Sequence, residues 1–151
     1  MTASQRLAEL GIELPPVAAP VAAYVPATRV GDQIWTSGQL PFADGVLTAT
    51  GKVGDAVAQD LGTEAARVAA LNAVAAAAAV AGGVDRIRRV VKVVVFVASA
   101  PGFTGQPAVA NGASLLLGEI FGEQGTHVRS AVGVAVLPLD APVEVELIVE
   151  A

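Results

Sequence analysis

The sequence predicts an α+β fold, a mixed sheet with two helices on one face and the order β-β-(β)-α-β-α-β-β. Three observations predict it. Val57, Leu61, Ala65, Val68, Asn72, Ala75 and Ala79 recur at helical spacing. Arg86 to Ala98 is strand-like and apolar on both faces, as a strand covered on both sides must be. The other strand-like runs alternate at period two and are bounded by Gly, Pro and Asp turns.

The elements follow in order. Gln5 to Leu10 reads as a short helix after a cap at Ser4, stopped by Gly11, and Pro15, Pro16 and Pro20 give an extended lead-in. Ala22 to Val30 and Gln33 to Gly38 read as strands joined by a Gly31-Asp32 turn. Leu40 to Asp55 carries Pro41 and three glycines, so it is mostly turn with room for one short strand. The first long helix runs from Ala56 to Ala81, with Asp55 as its cap and Gly82-Gly83 as its stop. In the strand Arg86 to Ala98, Val91, Val93, Val95 and Val97 form one face, and Val90, Val94 and Phe96 the other. Pro107 to Phe121 forms the second helix, with Pro107 in its first turn. Val128 to Leu137 and Pro142 to Val149 are the last strands, joined as a hairpin through Pro138 to Ala141.

With 151 residues the chain fits one domain, 1–151, in which residues 1–23 are an N-terminal extension. Hydrophobic residues make up 54% and charged residues 15%, which excludes a disordered chain. Ala65 to Ala81 is the nearest approach to a membrane span, but Arg67 and Asn72 interrupt it, and it reads as a buried helix. Two helices cover only one face of a sheet. A central strand apolar on both faces then needs a second cover, and a neighbouring copy of the chain supplies one.

The net charge of −5 argues against a nucleic-acid-binding role, which needs clustered Lys and Arg. The group Arg86, Arg88, Arg89 and Lys92 reads as a solvated strand end. With no cysteine and one histidine, thiol chemistry and a His-cluster metal site are excluded. No cofactor or metal is expected. MTASQRLAEL lacks the basic-then-apolar order of a secretory signal, so a cytoplasmic location is expected.

Arg129 is the strongest candidate for chemistry. It shares a strand face with Ala131, Gly133, Ala135 and Leu137, a cation beside small residues against which a ligand could lie. Its planar fork of donors matches a carboxylate, although spacing alone slightly favours an internal salt bridge or an exposed strand end. Glu144 and Glu146 share a face of the last strand, where alternating Glu commonly marks a half-solvated edge. If the last two strands form a hairpin, Arg129 and Glu144 lie on the order of 20 Å apart and can share a site only across a subunit boundary. Ser37 and Gly38 could offer a hydroxyl and a backbone N–H to an anion. Tyr24, the only tyrosine, and Asn111 on the second helix could line the same pocket.

Together, TSGQLP at Thr36 to Pro41, VVKVVVFVAS at Val90 to Ser99, RSAVGVAVLP at Arg129 to Pro138 and VEVELIVE at Val143 to Glu150 resemble the YjgF/Rid family, also called endoribonuclease L-PSP. The resemblance spans roughly Tyr24 to Val149 and implies a chorismate-mutase-like fold, assembled as a homotrimer with clefts between subunits. It implies hydrolysis of reactive enamine or imine intermediates of the 2-aminoacrylate type to keto acids and ammonia. Arg129 would hold the substrate carboxylate, Glu144 would position or activate water, and Tyr24, Ser37, Gly38 and Asn111 would line the cleft. The chain departs from the pattern at Ala131, where deaminating members often carry cysteine, and in the loops around Gly51 to Gly54 and Gly102 to Ala108. A trimer that binds small carboxylate metabolites without turning them over is the alternative. The ribonuclease of the older name fits poorly with the negative charge and single histidine.

Overall fold

The computed structural model describes residues 1–17 and 23–151. The long helix α2, Gln59–Ala81, is the centre of the fold, and twelve of its residues are buried, nine of them alanine. A helix surfaced with alanine can lie close to its neighbours, so α2 packs on the sheet and on α3, Gln106–Phe121, at once. By length and composition α2 could also cross a membrane, but most of its apolar window is spent on this core. Its cap differs from expectation: the N-cap is Ala58, and no side chain, Asp55 included, caps the helix start.

The main sheet has five strands: β1 Ala27–Val30, β2 Gln33–Thr36, β5 Arg89–Ala98, β6 Val128–Val134 and β7 Val143–Glu150. Two-residue strands β3, Phe42–Ala43, and β4, Val46–Leu47, form a separate small hairpin. The spatial order is β1-β2-β7-β5-β6, antiparallel throughout except for the parallel pair β5–β6 that α3 connects. This corrects the expected hairpin. Pro138–Asp140 forms a 3-10 turn, and β7 passes to the far side of β5, inserting between β2 and β5. A helical crossover makes β6 run parallel to β5, so the antiparallel β7 finds its ladder on the free edge of β5 instead.

Ile34, Val90, Val93, Val95, Val97, Val143, Val145, Leu147 and Val149 are buried under α2 and α3. The phase of β5 is not the simple alternation expected. A register shift between Val90 and Lys92 takes up Val91, and both Val90 and Val93 reach the helix-covered face. The opposite face has no helix. It carries Lys92, Val94, Phe96, Glu144, Glu146, Ile148, Val128, Ser130, Val132 and the half-exposed Trp35.

The N-terminal segment is ordered as α1, Ala3–Leu10, capped by a reciprocal Thr2–Gln5 box rather than by Ser4. Ser4 instead ties the helix to the body, its N–H and hydroxyl both donating to Asp85, at 2.8 and 2.6 Å. Arg6 donates to the Glu119 carbonyl on α3 at 3.1 Å, so the extension is sewn down at two points. The first expected strand begins at Ala27, and its first expected residue, Ala22, lies outside the described residues. Arg88 lies near Asp32 and Glu150, at 3.6 and 3.4 Å, as a solvated strand end would.

Candidate functional site

Five of the six residues singled out from the sequence fall into two clusters. Arg129 and Asn111 form one, at the β6 edge beneath α3. Pro107, Asn111 and Ser114 lie along one side of α3 because their spacings of four and three return to one helix face. All three meet the Arg129 guanidinium. Nη1 donates to Asn111 Oδ1 at 2.8 Å and to Ser114 Oγ at 3.2 Å, and Nη2 donates to the Pro107 carbonyl at 3.4 Å. His127 stands behind Ser114, with Nε2 2.9 Å from Ser114 Oγ and Nδ1 2.6 Å from the Gly125 carbonyl.

Arg129 has no carboxylate partner among the described residues. Its three acceptors are neutral. Guanidinium carries five N–H donors, and these contacts use both on Nη1 and one on Nη2. One on Nε and one on Nη2 have no acceptor among the described residues, which leaves donors that a carboxylate can take. The row of small residues beside Arg129 is, by contrast, already filled. Ala131 packs on the core, and a Cβ at Gly133 would meet Gln106 Nε2 at 2.9 Å and Ser99 Oγ at 3.0 Å.

The second cluster is Ser37, Gly38 and Glu144. β2 pairs with β7 through Trp35↔Ile148, and the chain rejoins β7 at Gln39↔Val145. Three residues on the β2 side thus face two on β7, a bulge that carries Ser37 and Gly38 out of the ladder. Thr36 fills the gap: its buried hydroxyl accepts from Leu147 N–H at 3.0 Å. A Cβ at Gly38 would stand 2.6 Å from Glu144 Cδ, so only glycine admits the carboxyl there. Ser37 donates its hydroxyl proton to the Val25 carbonyl at 2.6 Å, which leaves its oxygen to act as an acceptor rather than the expected donor. The Gly38 N–H has no acceptor among the described residues. Tyr24 is half exposed nearby in sequence, 46% accessible, ahead of β1 rather than inside it.

Glu144 does not sit on an edge. β7 is an interior strand, and burial, with the Glu146 charge adding to it, raises the Glu144 pKa above its ordinary value. A carboxyl so placed holds its proton to a higher pH than a solvated one does.

The two clusters project from opposite faces. Arg129 is level with Val93 on the helix-covered side, and Glu144 is level with Phe96 on the open side. Two strand spacings and a three-residue offset separate them by roughly 14 Å within one chain. Ser114 and His127 were not anticipated as part of this arrangement. The signals that could have found them were the i, i+3 spacing of Asn111 and Ser114 and the two-residue offset of His127 from Arg129.

A mixed sheet in the order β1-β2-β7-β5-β6, with two long helices on one side and the other side open, is the chorismate-mutase-like α+β fold. The family described as "YjgF/chorismate mutase-like, putative endoribonuclease" matches residues 4–151, and the chain belongs to it. Protein TCP17 of Trypanosoma cruzi is 49% identical over 145 residues, 95% of this chain and 91% of that protein. The Agrobacterium tumefaciens protein Atu1372, of unknown function, is 45% identical with a TM-score of 0.89, over 98% of this chain and 91% of that one. A "putative endoribonuclease" from Shewanella oneidensis reaches a TM-score of 0.96 at 36% identity over the full length of both. The E. coli protein TdcF, solved with bound serine, is more distant at 25% identity and a TM-score of 0.65, covering 91% of this chain and 94% of that one.

Proposed function

We propose that the protein hydrolyses small enamine or imine acids of the 2-aminoacrylate type to keto acids and ammonia, in clefts between the subunits of a homotrimer. The observation that carries this reading is the Arg129 guanidinium, fixed by three neutral acceptors and still holding two donors. A permanent cation held in place without an anion is prepared for one from outside. Serine bound to TdcF, a small amino acid with a carboxylate, points to the same class of ligand.

The chemistry is modest. 2-Aminoacrylate tautomerises to 2-iminopropionate, whose C=N carbon is electrophilic. Arg129 holds the carboxylate and so fixes that carbon. Water adds to it, giving a carbinolamine, and one proton passes from the added water to nitrogen. The second proton of that water then passes from the carbinolamine hydroxyl to nitrogen as the C–N bond breaks, so ammonia leaves and the carbonyl forms. Glu144 of a neighbouring subunit orients the water and carries the proton, and its raised pKa suits both roles. Gly38 makes room for its carboxyl, Ser37 and Tyr24 line that wall, and Asn111 lines the other beside Arg129. No step calls on a thiol, so Ala131 is compatible with it.

Purified protein should accelerate ammonia release from 2-iminopropionate generated in situ, and Arg129→Ala should remove the acceleration. Keto-acid binding that depends on Arg129, with no acceleration over buffer, would instead establish a carboxylate binder without turnover.

A further inference from the structure

We propose that Ser114 and His127 are positioning residues that set the orientation of the Arg129 guanidinium through a directed chain of hydrogen bonds. This rests on the reading of Arg129 as the carboxylate-holding group and adds to it the residues that aim the group.

The direction of every link follows from what each atom can do. A carbonyl oxygen only accepts, so the 2.6 Å contact between His127 Nδ1 and the Gly125 carbonyl requires the proton on Nδ1. A neutral ring protonated at Nδ1 has a bare Nε2, which accepts. Ser114 Oγ, 2.9 Å away, therefore donates its single proton to Nε2. That turns a hydroxyl lone pair toward Arg129, which can only donate, and Nη1 donates to it at 3.2 Å. With the ring neutral, the chain is satisfied from both ends. Ser114, with one proton and two lone pairs, is otherwise free to rotate, and His127 removes that freedom.

The anchor is itself fixed. A Cβ at Gly125 would collide with the Leu117 carbonyl, so the turn that presents the Gly125 carbonyl lies directly on the α3 backbone. Asn111 takes the other Nη1 hydrogen at 2.8 Å. With both Nη1 hydrogens committed, the planar guanidinium cannot swing about its Cδ–Nε bond without breaking two hydrogen bonds, and its Nε and remaining Nη2 donors face a constant direction. Pre-set donors cost less ordering when a ligand arrives.

The test uses the intact protein, in which His127 is the only histidine and gives an unambiguous nitrogen signal. Nitrogen NMR should show the Nδ1–H tautomer. In Ser114→Ala and His127→Phe the Arg129 Nε–H order parameter should fall, and pyruvate affinity measured by calorimetry should drop by roughly five- to tenfold, about what one lost hydrogen bond accounts for. His127→Gln, whose amide oxygen can accept from Ser114, should recover most of both, which a merely structural role for the ring would not give. An Nε2–H tautomer in the wild type, or an unchanged Arg129 order parameter in Ser114→Ala, would overturn the proposal. If the wild type and Arg129→Ala bind pyruvate equally or not at all, the carboxylate reading fails. The tautomer and order parameter still decide whether the chain orients Arg129.

Discussion

Glu144 owes its character to two neighbours, and each can be removed separately. Burial raises its pKa first and the Glu146 charge adds to this. If the ionised carboxylate is the active form, activity should fall on the acid side at a pH above the ordinary carboxyl value. Glu146→Gln removes the repulsion but not the burial, so this acid limb should move to lower pH without reaching 4.5, as a pH–rate profile would show. The linked stability has a definite sign. A raised carboxyl pKa means that the folded state binds more protons than the unfolded one between 4.5 and the raised value, so stability is lost as pH rises through that window. Gly38 bears on the same carboxyl from the other side. Gly38→Ala should displace the Glu144 side chain, given the 2.6 Å approach of the added Cβ, and should lower kcat more than it lowers the melting temperature.

Among the elements, the bulge between β2 and β7 is the one on which the proposed site depends, and Thr36 holds it. Thr36→Val keeps the shape but leaves the buried Leu147 N–H without its acceptor, at a cost of about 1–3 kcal/mol. Chemical denaturation should show this loss, with activity falling alongside as Ser37 and Gly38 relax. At the N-terminus, the Ser4 hydrogen bonds lower the Asp85 pKa. A lowered carboxyl pKa gives stability that is present above 3.8 and is lost as pH falls through the folded value, so the attachment of α1 should weaken in acid and in Asp85→Asn, read by amide exchange over Ala3–Leu10. The long elements were legible from the sequence because helical and strand periods persist over many residues in 59–81, 89–98 and 106–121. Strand order was not. Val128 to Glu150 reads as two strands and a turn whichever edge β7 chooses, and the parallel β5–β6 pair that decides it is set by the path of α3. The bulge at Val91 was hidden for a similar reason, since a run of valines looks the same in either phase. The candidate site was readable only as residue types along the chain. Its wiring was not, because Arg129, Ser114 and His127 meet only once β6 lies beneath α3.

For the whole molecule, the open sheet face asks for a partner. Val128 and Val132 are exposed on it, and Trp35 is 48% accessible, beside Val94, Phe96 and Ile148. The proposed homotrimer would cover these side chains and bring the Arg129 cluster of one copy to the Glu144 cluster of the next. Val132→Asp should therefore shift the protein toward monomers in sedimentation experiments and abolish activity while leaving the secondary structure intact. Because the two clusters face opposite sides of one sheet, the proposed site needs both an Arg129 and a Glu144 from neighbouring copies, and activity should be their shared property. Mixing two inactive variants tests that most directly. Arg129→Ala and Glu144→Gln should each be inactive in ammonia release from 2-iminopropionate. Co-refolded in equal amounts they should regain about one quarter of wild-type activity, the chance that an intact Arg129 meets an intact Glu144 across a boundary. A mixture as inactive as its parents, although mixed oligomers have formed, would place the site within one chain and rule out a shared one.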